Sequence, residues 1–267
     1  MRDGPDDLLA EARTTTHRVA RTFGLACRLL PRDVRDDVYR LYLVFRSLDD
    51  LVDERRPAAA ERVAAVEAWC DGAAPASREA RVLAALDARH ALPRAALRDF
   101  CAGMRFDLRG GVNETEADLD RYCHQVAGTV GLTVAAMLGA RGAAAGRAAS
   151  ALGMAMQRTN VLRDIDEDLG SGRVYLARET LERFGGSLAA GQRSALLRDQ
   201  IARADALYDQ GVAGIELLPR GRRAVTAAAA MYREILRQIE REGYGARPGR
   251  AVVSPPRKLA AAALALR

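Results

Sequence analysis

The chain has 267 residues, 49% of them hydrophobic, so it can bury a sizeable core and is not a disordered polymer. Its net charge of +6 raises nucleic acid as a partner, yet all but one of the 41 basic residues are arginine, Lys258 being the lone lysine. They are spread along the chain rather than clustered, which argues against a phosphate-tracking surface, so no nucleic-acid partner is expected.

Abundant alanine, only 5% aromatics and few β-branched runs favour helices. Cys27, Cys70, Cys101 and Cys123 form no CxxC pair, and His17, His90 and His124 are equally scattered. Neither zinc nor a disulfide framework is indicated; reduced thiols in a cytoplasm fit. The N-terminus is charged where a signal peptide is apolar, and no stretch nears the ~20 apolar residues that span a bilayer. The expectation is a cytoplasmic protein that at most rests on a membrane.

In chain order, residues 6–30 read as one helical segment ending before Pro31. Pro31 suits the first turn of the next helix, which stops before Pro57. Further helices follow over 58–70, 78–90 and 93–108, with a loop at 72–77. Gly110-Gly111 breaks the pattern, and Thr115 with Asp118 three residues on forms a helix-start signal. The helix it opens contains Gly128 and Gly131, each costing roughly 1 kcal/mol against alanine. Either another helix packs closely there or an apolar ligand lies against the backbone. A long helix runs from Gly142 to Gly170, then a short extended or turn segment 173–176. Helices over 192–217 and 219–242, a loop-like tail and a last short helix from Arg257 complete the chain. With no strand alternation, repeat or linker, this is a single all-α domain over 1–267.

Two of these helices carry acidic stripes. In Gln157-Arg158-Thr159-Asn160-Val161-Leu162-Arg163-Asp164-Ile165-Asp166-Glu167-Asp168, the residues Gln157, Asn160, Asp164 and Asp168 step by three, four and four. They share one face of a helix. Asp166 points away from it. Alone, such a stripe reads as a solvated face. But Tyr42, Arg46, Asp49, Asp50 and Asp53 share a face by the same arithmetic. Two acidic stripes facing each other across a bundle would hold divalent ions, and Mg²⁺ takes few carboxylates and completes its shell with water or phosphate oxygens. Arg46 is misplaced as a metal ligand but well placed to grip phosphate. The pattern suggests a diphosphate on a magnesium cluster.

With both stripes in place, the chain resembles the squalene/phytoene synthase family. The resemblance runs through Arg21-Thr22-Phe23-Gly24, Tyr42…Arg46…Asp49-Asp50…Asp53, Gly103-Met104-Arg105-Phe106-Asp107-Leu108, Tyr122-Cys123…Ala127-Gly128-Thr129-Val130-Gly131, Gln157…Thr159-Asn160…Arg163-Asp164…Asp168, Gly172-Arg173-Val174-Tyr175-Leu176, Tyr232-Arg233 and Pro256-Arg257-Lys258. It implies an isoprenoid-synthase helical bundle with a central apolar cavity. It also implies a reaction, the head-to-head (1′–1) joining of two prenyl diphosphates through a cyclopropylcarbinyl diphosphate. By resemblance Asp49, Asp53, Asn160, Asp164 and Asp168 hold Mg²⁺ (or Mn²⁺), and Tyr122 aids ionisation or proton removal. Arg21, Thr22, Tyr42, Arg46, Gln157, Arg163, Arg173, Tyr175 and Tyr232 match substrate-contacting positions. The product reading leans to phytoene from geranylgeranyl diphosphate. The alternatives are squalene, presqualene or dehydrosqualene from farnesyl diphosphate (with NADPH only for squalene), a terpene cyclase, and a non-catalytic assembly factor. Peripheral membrane contact would serve product release; the oligomeric state stays open. Three departures stand out: Phe45 where the family has Cys, Arg158 for Leu, and Ala177 for Pro. Arg158 and Ala177 are expected to bear on cavity shape or on the loop over the site.

Overall fold

The computed structural model describes residues 5–267, apart from the side chains of Pro5, Asp6 and Arg21. Among the described residues there are helices and no strands. The first helices are α1 (Pro5–Val19), α2 (Arg21–Cys27), α3 (Arg32–Asp53), α4 (Ala59–Cys70), α5 (Arg78–His90) and α6 (Arg94–Leu108). Then come α7 (Glu116–Cys123), a π-turn (His124–Gly128), α8 (Thr129–Met137), α9 (Gly142–Arg163) and α10 (Ile165–Gly170). The last are α11 (Arg178–Arg183), α12 (Ser194–Ala213), a 3₁₀ turn (Ile215–Leu217), α13 (Arg222–Arg241) and α14 (Pro255–Ala265). No helix among the described residues is long and apolar enough to cross a membrane.

Most boundaries follow local chemistry. Pro31 caps α3, and Thr115 opens α7 with a reciprocal capping box to Asp118. Several boundaries depart from the sequence pattern, among them the end of α12 at Ala213, where one helix was expected to run on to 217. Ala20 leaves helical geometry (φ −114°, ψ 57°) and divides residues 6–30 into α1 and α2, although no Gly or Pro marks that corner. The long helix after Gly142 breaks at Asp164 (φ −102°, ψ 10°). The short α11 was hidden between loop residues.

Two large apolar cores form, one around Leu41, Leu48, Leu83 and Leu97, the other around Leu119, Ile201, Tyr208 and Leu236, and a smaller cluster joins Ala26, Ala227, Ala228, Met231 and Ala262. Val126 and Val225 pack against both. Helix α9 is the axle of the second core and packs on α8, α12, α13 and the π-turn. Its run of small residues permits that closeness: a Cβ on Gly153 would fall 2.2 Å from the Ala127 carbonyl oxygen. Likewise a Cβ on Gly131 would fall 2.3 Å from the Ala149 carbonyl oxygen, and one on Gly128 would fall 2.8 Å from Ser150 Oγ. Helix contact is enough to account for both glycines singled out from the sequence, and Gly131 also lines the cavity described below. Helices α3 and α9 face each other across the space where the two cores meet, and that space is a cavity of about 570 Å³.

Candidate active site

The cavity is apolar at one end and strongly charged at the other. Its apolar wall includes Phe45, Phe100, Val130, Leu138 and Leu218, with the Phe45 and Phe100 rings 4.6 Å apart. At the charged end, α3 contributes Tyr42, Arg46, Asp49 and Asp53. Opposite them stand Gln157, Asn160 and Arg163 from α9, Asp164 at the break, and Asp168 from α10. The two stripes therefore converge on one site. Arg173 and Tyr175 line it from the following loop, Tyr122 from α7 and Tyr232 from α13.

Asp50, which the spacing placed with this group, does not line the cavity. One residue on from Asp49 it is turned by about 100°, and it pairs with the Arg46 guanidinium from outside. Thr22 also lies off the cavity, buried, with its hydroxyl accepting from Lys258 Nζ at 2.9 Å. The Arg21 side chain lies outside the described residues.

Arginines thread the carboxylates together. Arg46 Nη1 donates to Asp49 Oδ2 at 2.8 Å. Arg173 ties the two motifs by pairing with the Asp53 carboxylate and donating to the Asp53 carbonyl at 3.2 Å. Arg163 grips its own neighbour, Asp164, with Nε–Oδ1 2.7 Å and Nη2–Oδ2 2.5 Å. On an unbroken helix adjacent side chains diverge by about 100°, so the break at Asp164 is what lets this pair meet.

Burial pushes the Asp49 carboxyl up to about 7, and the neighbouring Asp53 carboxylate adds to it. Burial, then Asp164, raises Asp168 to about 6. In both, burial is the larger cause and the nearby arginines only partly offset it.

Asp107 is a functional candidate the stripes did not reveal. It lines the cavity and accepts a hydrogen bond from the Tyr122 hydroxyl at 3.1 Å. Burial carries its carboxyl up to about 7, although the Tyr122 bond pulls the other way. Tyr122 itself is sandwiched by Phe106 and by the Tyr175 ring, stacked at 5.3 Å and 19°. Arg250, in the tail, also lines the cavity and reaches Asp164 Oδ1 at 3.0 Å.

These shifts carry a stability prediction. Asp49, Asp107 and Asp168 are raised, so the folded chain holds protons that the unfolded chain has released. Between about pH 4 and pH 7 the native state therefore binds more protons, and its stability falls as pH rises. Burial acts upward on Glu79 and Glu116 too, but hydrogen bonds from Arg62, Thr180 and Arg158 leave both below the ordinary value. Their stabilising contribution is lost as pH falls through about 4.5 and below, at the acid edge of that window and beneath the pH 5 to 7.5 comparison. With chelator present, urea unfolding is expected to give lower stability at pH 7.5 than at pH 5, and Asp107→Asn is expected to flatten the fall. Equal slopes in the two proteins would remove Asp107 from this account.

The donor set suits Mg²⁺. Asn160 Oδ1 is buried at the cavity end with no hydrogen-bond partner, an oxygen of the kind a hard cation takes. Among the described residues no three His, Cys, Asp or Glu side chains converge on one point. An ion here would have to share its shell with substrate oxygens, which is how Mg²⁺ is commonly held.

The squalene/phytoene synthase family model matches residues 16–257. The chain belongs to the squalene/phytoene synthase family. It is 37% identical to the phytoene synthase of Thermus thermophilus over 238 residues, covering 84% of this chain and 80% of that one. It is 35% identical to the 15-cis-phytoene synthase of Synechocystis sp., covering 92% and 81%. Among solved structures it superposes on a ligand-bound dehydrosqualene synthase with TM-score 0.88 and 29% identity, over 97% of this chain and 95% of the other. Membership of this family makes the chain a prenyltransferase.

Two departures from the family pattern are explained by position. Arg158 is buried on the far side of α9, where it donates to Asp120, Glu116 and Gln200 at 2.7–3.0 Å. Ala177 is fully buried at the start of α11. Neither lines the cavity: Arg158 acts through its ion pairs, and Ala177 packs at the end of the loop that carries Arg173 and Tyr175. Phe45 does line it. His124 is satisfied by Ser150 Oγ at 2.8 Å, and burial pushes the Cys123 thiol up to about 12, leaving it inert.

Proposed function

We propose that this chain, acting as one catalytic domain over 1–267, joins two geranylgeranyl diphosphates head to head to give phytoene. The observation that carries the reading is the cavity itself, an apolar chamber with both acidic stripes and their arginines at one end. Such a shape fits a substrate with a long hydrocarbon tail and an anionic head. The C20 substrate is favoured by the relatives named phytoene synthase, at 33–37% identity.

In this reading Asp49, Asp53, Asn160, Asp164 and Asp168 hold divalent cations, which neutralise charge on the leaving diphosphate. The guanidinium groups of Arg46 and Arg163 bind diphosphate oxygens, and Arg46 Nε, buried without a partner, is a donor available for that task. Tyr42, Gln157, Tyr175 and Tyr232 orient the head group from the cavity walls. Arg173 holds the loop of the second motif against Asp53. The apolar wall keeps water from the allylic cation that diphosphate loss creates, so that the second substrate's double bond is the nucleophile it meets. Tyr122, with its hydroxyl fixed by Asp107, stands at the edge of that wall.

A product assay tests the reading. Purified protein with Mg²⁺ would receive geranylgeranyl and farnesyl diphosphates separately, with and without NADPH, and the extracts would be analysed by mass spectrometry. The expected result is a C40 hydrocarbon from the C20 substrate without NADPH. A C30 product would move the assignment to squalene or dehydrosqualene, a cyclic product to a cyclase, and no product would end the enzymatic reading of this site.

A further inference from the structure

Asp166 sits in the middle of the second acidic motif but does not line the cavity. Two residues from Asp164 it faces the opposite side, where a solvated carboxylate would be unremarked. It is not solvated. Its Oδ1 accepts from Arg193 Nη1 at 2.7 Å and its Oδ2 from Arg193 Nη2 at 2.6 Å. The Arg193 side chain is only 4% exposed. The same Oδ2 accepts the backbone N–H of Gly249 at 2.7 Å. Gly249 has φ +109°, a backbone region that favours glycine.

The next residue is Arg250, which returns to the motif from the other side. Its Nε lies 3.0 Å from Asp164 Oδ1 and its Nη1 3.3 Å from Glu167 Oε2, and its side chain lines the cavity. The segment between α13 and α14 has no regular helix to fix this arginine. Its upstream part is tethered through Gly245, whose carbonyl accepts from Gly191 N–H at 2.8 Å. At Arg250 itself the adjacent tether is the Asp166–Gly249 bond.

We propose that Asp166 is a positioning residue for substrate binding: by holding Gly249 it sets Arg250 at the diphosphate end of the cavity. The motif thus works on both faces, with Asp164 and Asp168 toward the cavity and Asp166 behind them, fixing the loop that brings a further cation to Asp164. The proposal rests on the diphosphate reading of the cavity given above.

The test is a double-mutant cycle read by calorimetric titration of inorganic diphosphate in the presence of Mg²⁺. Arg250→Ala is expected to weaken binding about tenfold, as for a lost charge-assisted contact. Asp166→Ala is expected to weaken it by about fivefold, and the double variant to be no weaker than Arg250→Ala alone. Asp166→Asn keeps an oxygen for Gly249 while losing one Arg193 contact, so it should lower the melting temperature yet retain diphosphate affinity. Asp166→Ala leaves Arg193 buried without its carboxylate; if that variant does not fold, Asp166→Ala with Arg193→Met removes both partners and takes its place. Losses that simply add in the double variant would overturn the positioning role, as would an Asp166→Asn protein as weak as Asp166→Ala. A native chain that binds no diphosphate would bring down the functional reading and the proposal with it, whereas native binding with additive losses brings down the proposal alone.

Discussion

Asp53→Ala is expected to lower turnover about 10³-fold, the scale on which a lost charge-stabilising group acts, while leaving the helical signal unchanged. Asp53 ends α3, where the helix dipole disfavours a carboxylate and no basic residue sits in the last turn. Its removal should therefore cost the helix nothing. What is lost is an oxygen at the charged end of the cavity and the carboxylate anchor of Arg173, which bridges to the second motif. Asp50→Ala is the matched control: it sits on the same helix and pairs with the same Arg46 as Asp49, but lies off the cavity. An exposed pair of that kind contributes little, so its turnover should fall by about fivefold or less. Steady-state kinetics with circular dichroism on both variants decides the matter. Full activity in Asp53→Ala would sink the metal-site assignment, and so would turnover that persists in EDTA.

That contrast also measures what a sequence can disclose. Spacing by three and four placed Asp49 and Asp53, and Asn160, Asp164 and Asp168, on common faces, and the fold brings those faces to one cavity. Spacing alone could not separate Asp49 from Asp50, because a 100° difference matters only once the cavity's direction is known. The helix break at Asp164 was invisible for a related reason. No Gly or Pro marks it, and the Arg163–Asp164 pair that it allows shows only in the folded chain. The π-turn at His124–Gly128 was hidden too, since it depends on how closely α9 approaches.

Asp107 left a trace that could have been followed. It continues the stripe Phe100, Met104 on the buried side of α6, and an acid on an apolar stripe asks for a partner, here the Tyr122 hydroxyl. Arg250 left none. It lies in an irregular segment with no periodicity, and its place is fixed by hydrogen bonds to residues more than eighty positions away. Asp166, which the helix alone only turns away from the stripe, makes one of those bonds by accepting the Gly249 N–H, and Asp164 makes the other.

Gly153→Ala is the second large effect expected, and it acts through packing. A Cβ at this position would lie 2.2 Å from the Ala127 carbonyl oxygen and 2.7 Å from its carbon, both backbone atoms of the π-turn. No side chain can swing aside to relieve that contact, so α9 and the π-turn must separate. Overpacking of this kind costs about 3 kcal/mol. The displacement would also reach chemistry, because Gln157 is one turn along α9 and Tyr122 lies just before the π-turn. Gly146→Ala on the same helix provides the comparison: its Cβ would lie 3.4 Å from the flexible end of Leu132. There the helix-propensity gain of up to about 1 kcal/mol is free to appear. Urea unfolding should therefore move in opposite directions for the two substitutions, with product formation lost only in Gly153→Ala. If both were stabilising, the close approach of α9 to the π-turn would not exist, and the two interior glycines of α8 and its approach would again need a ligand to explain them.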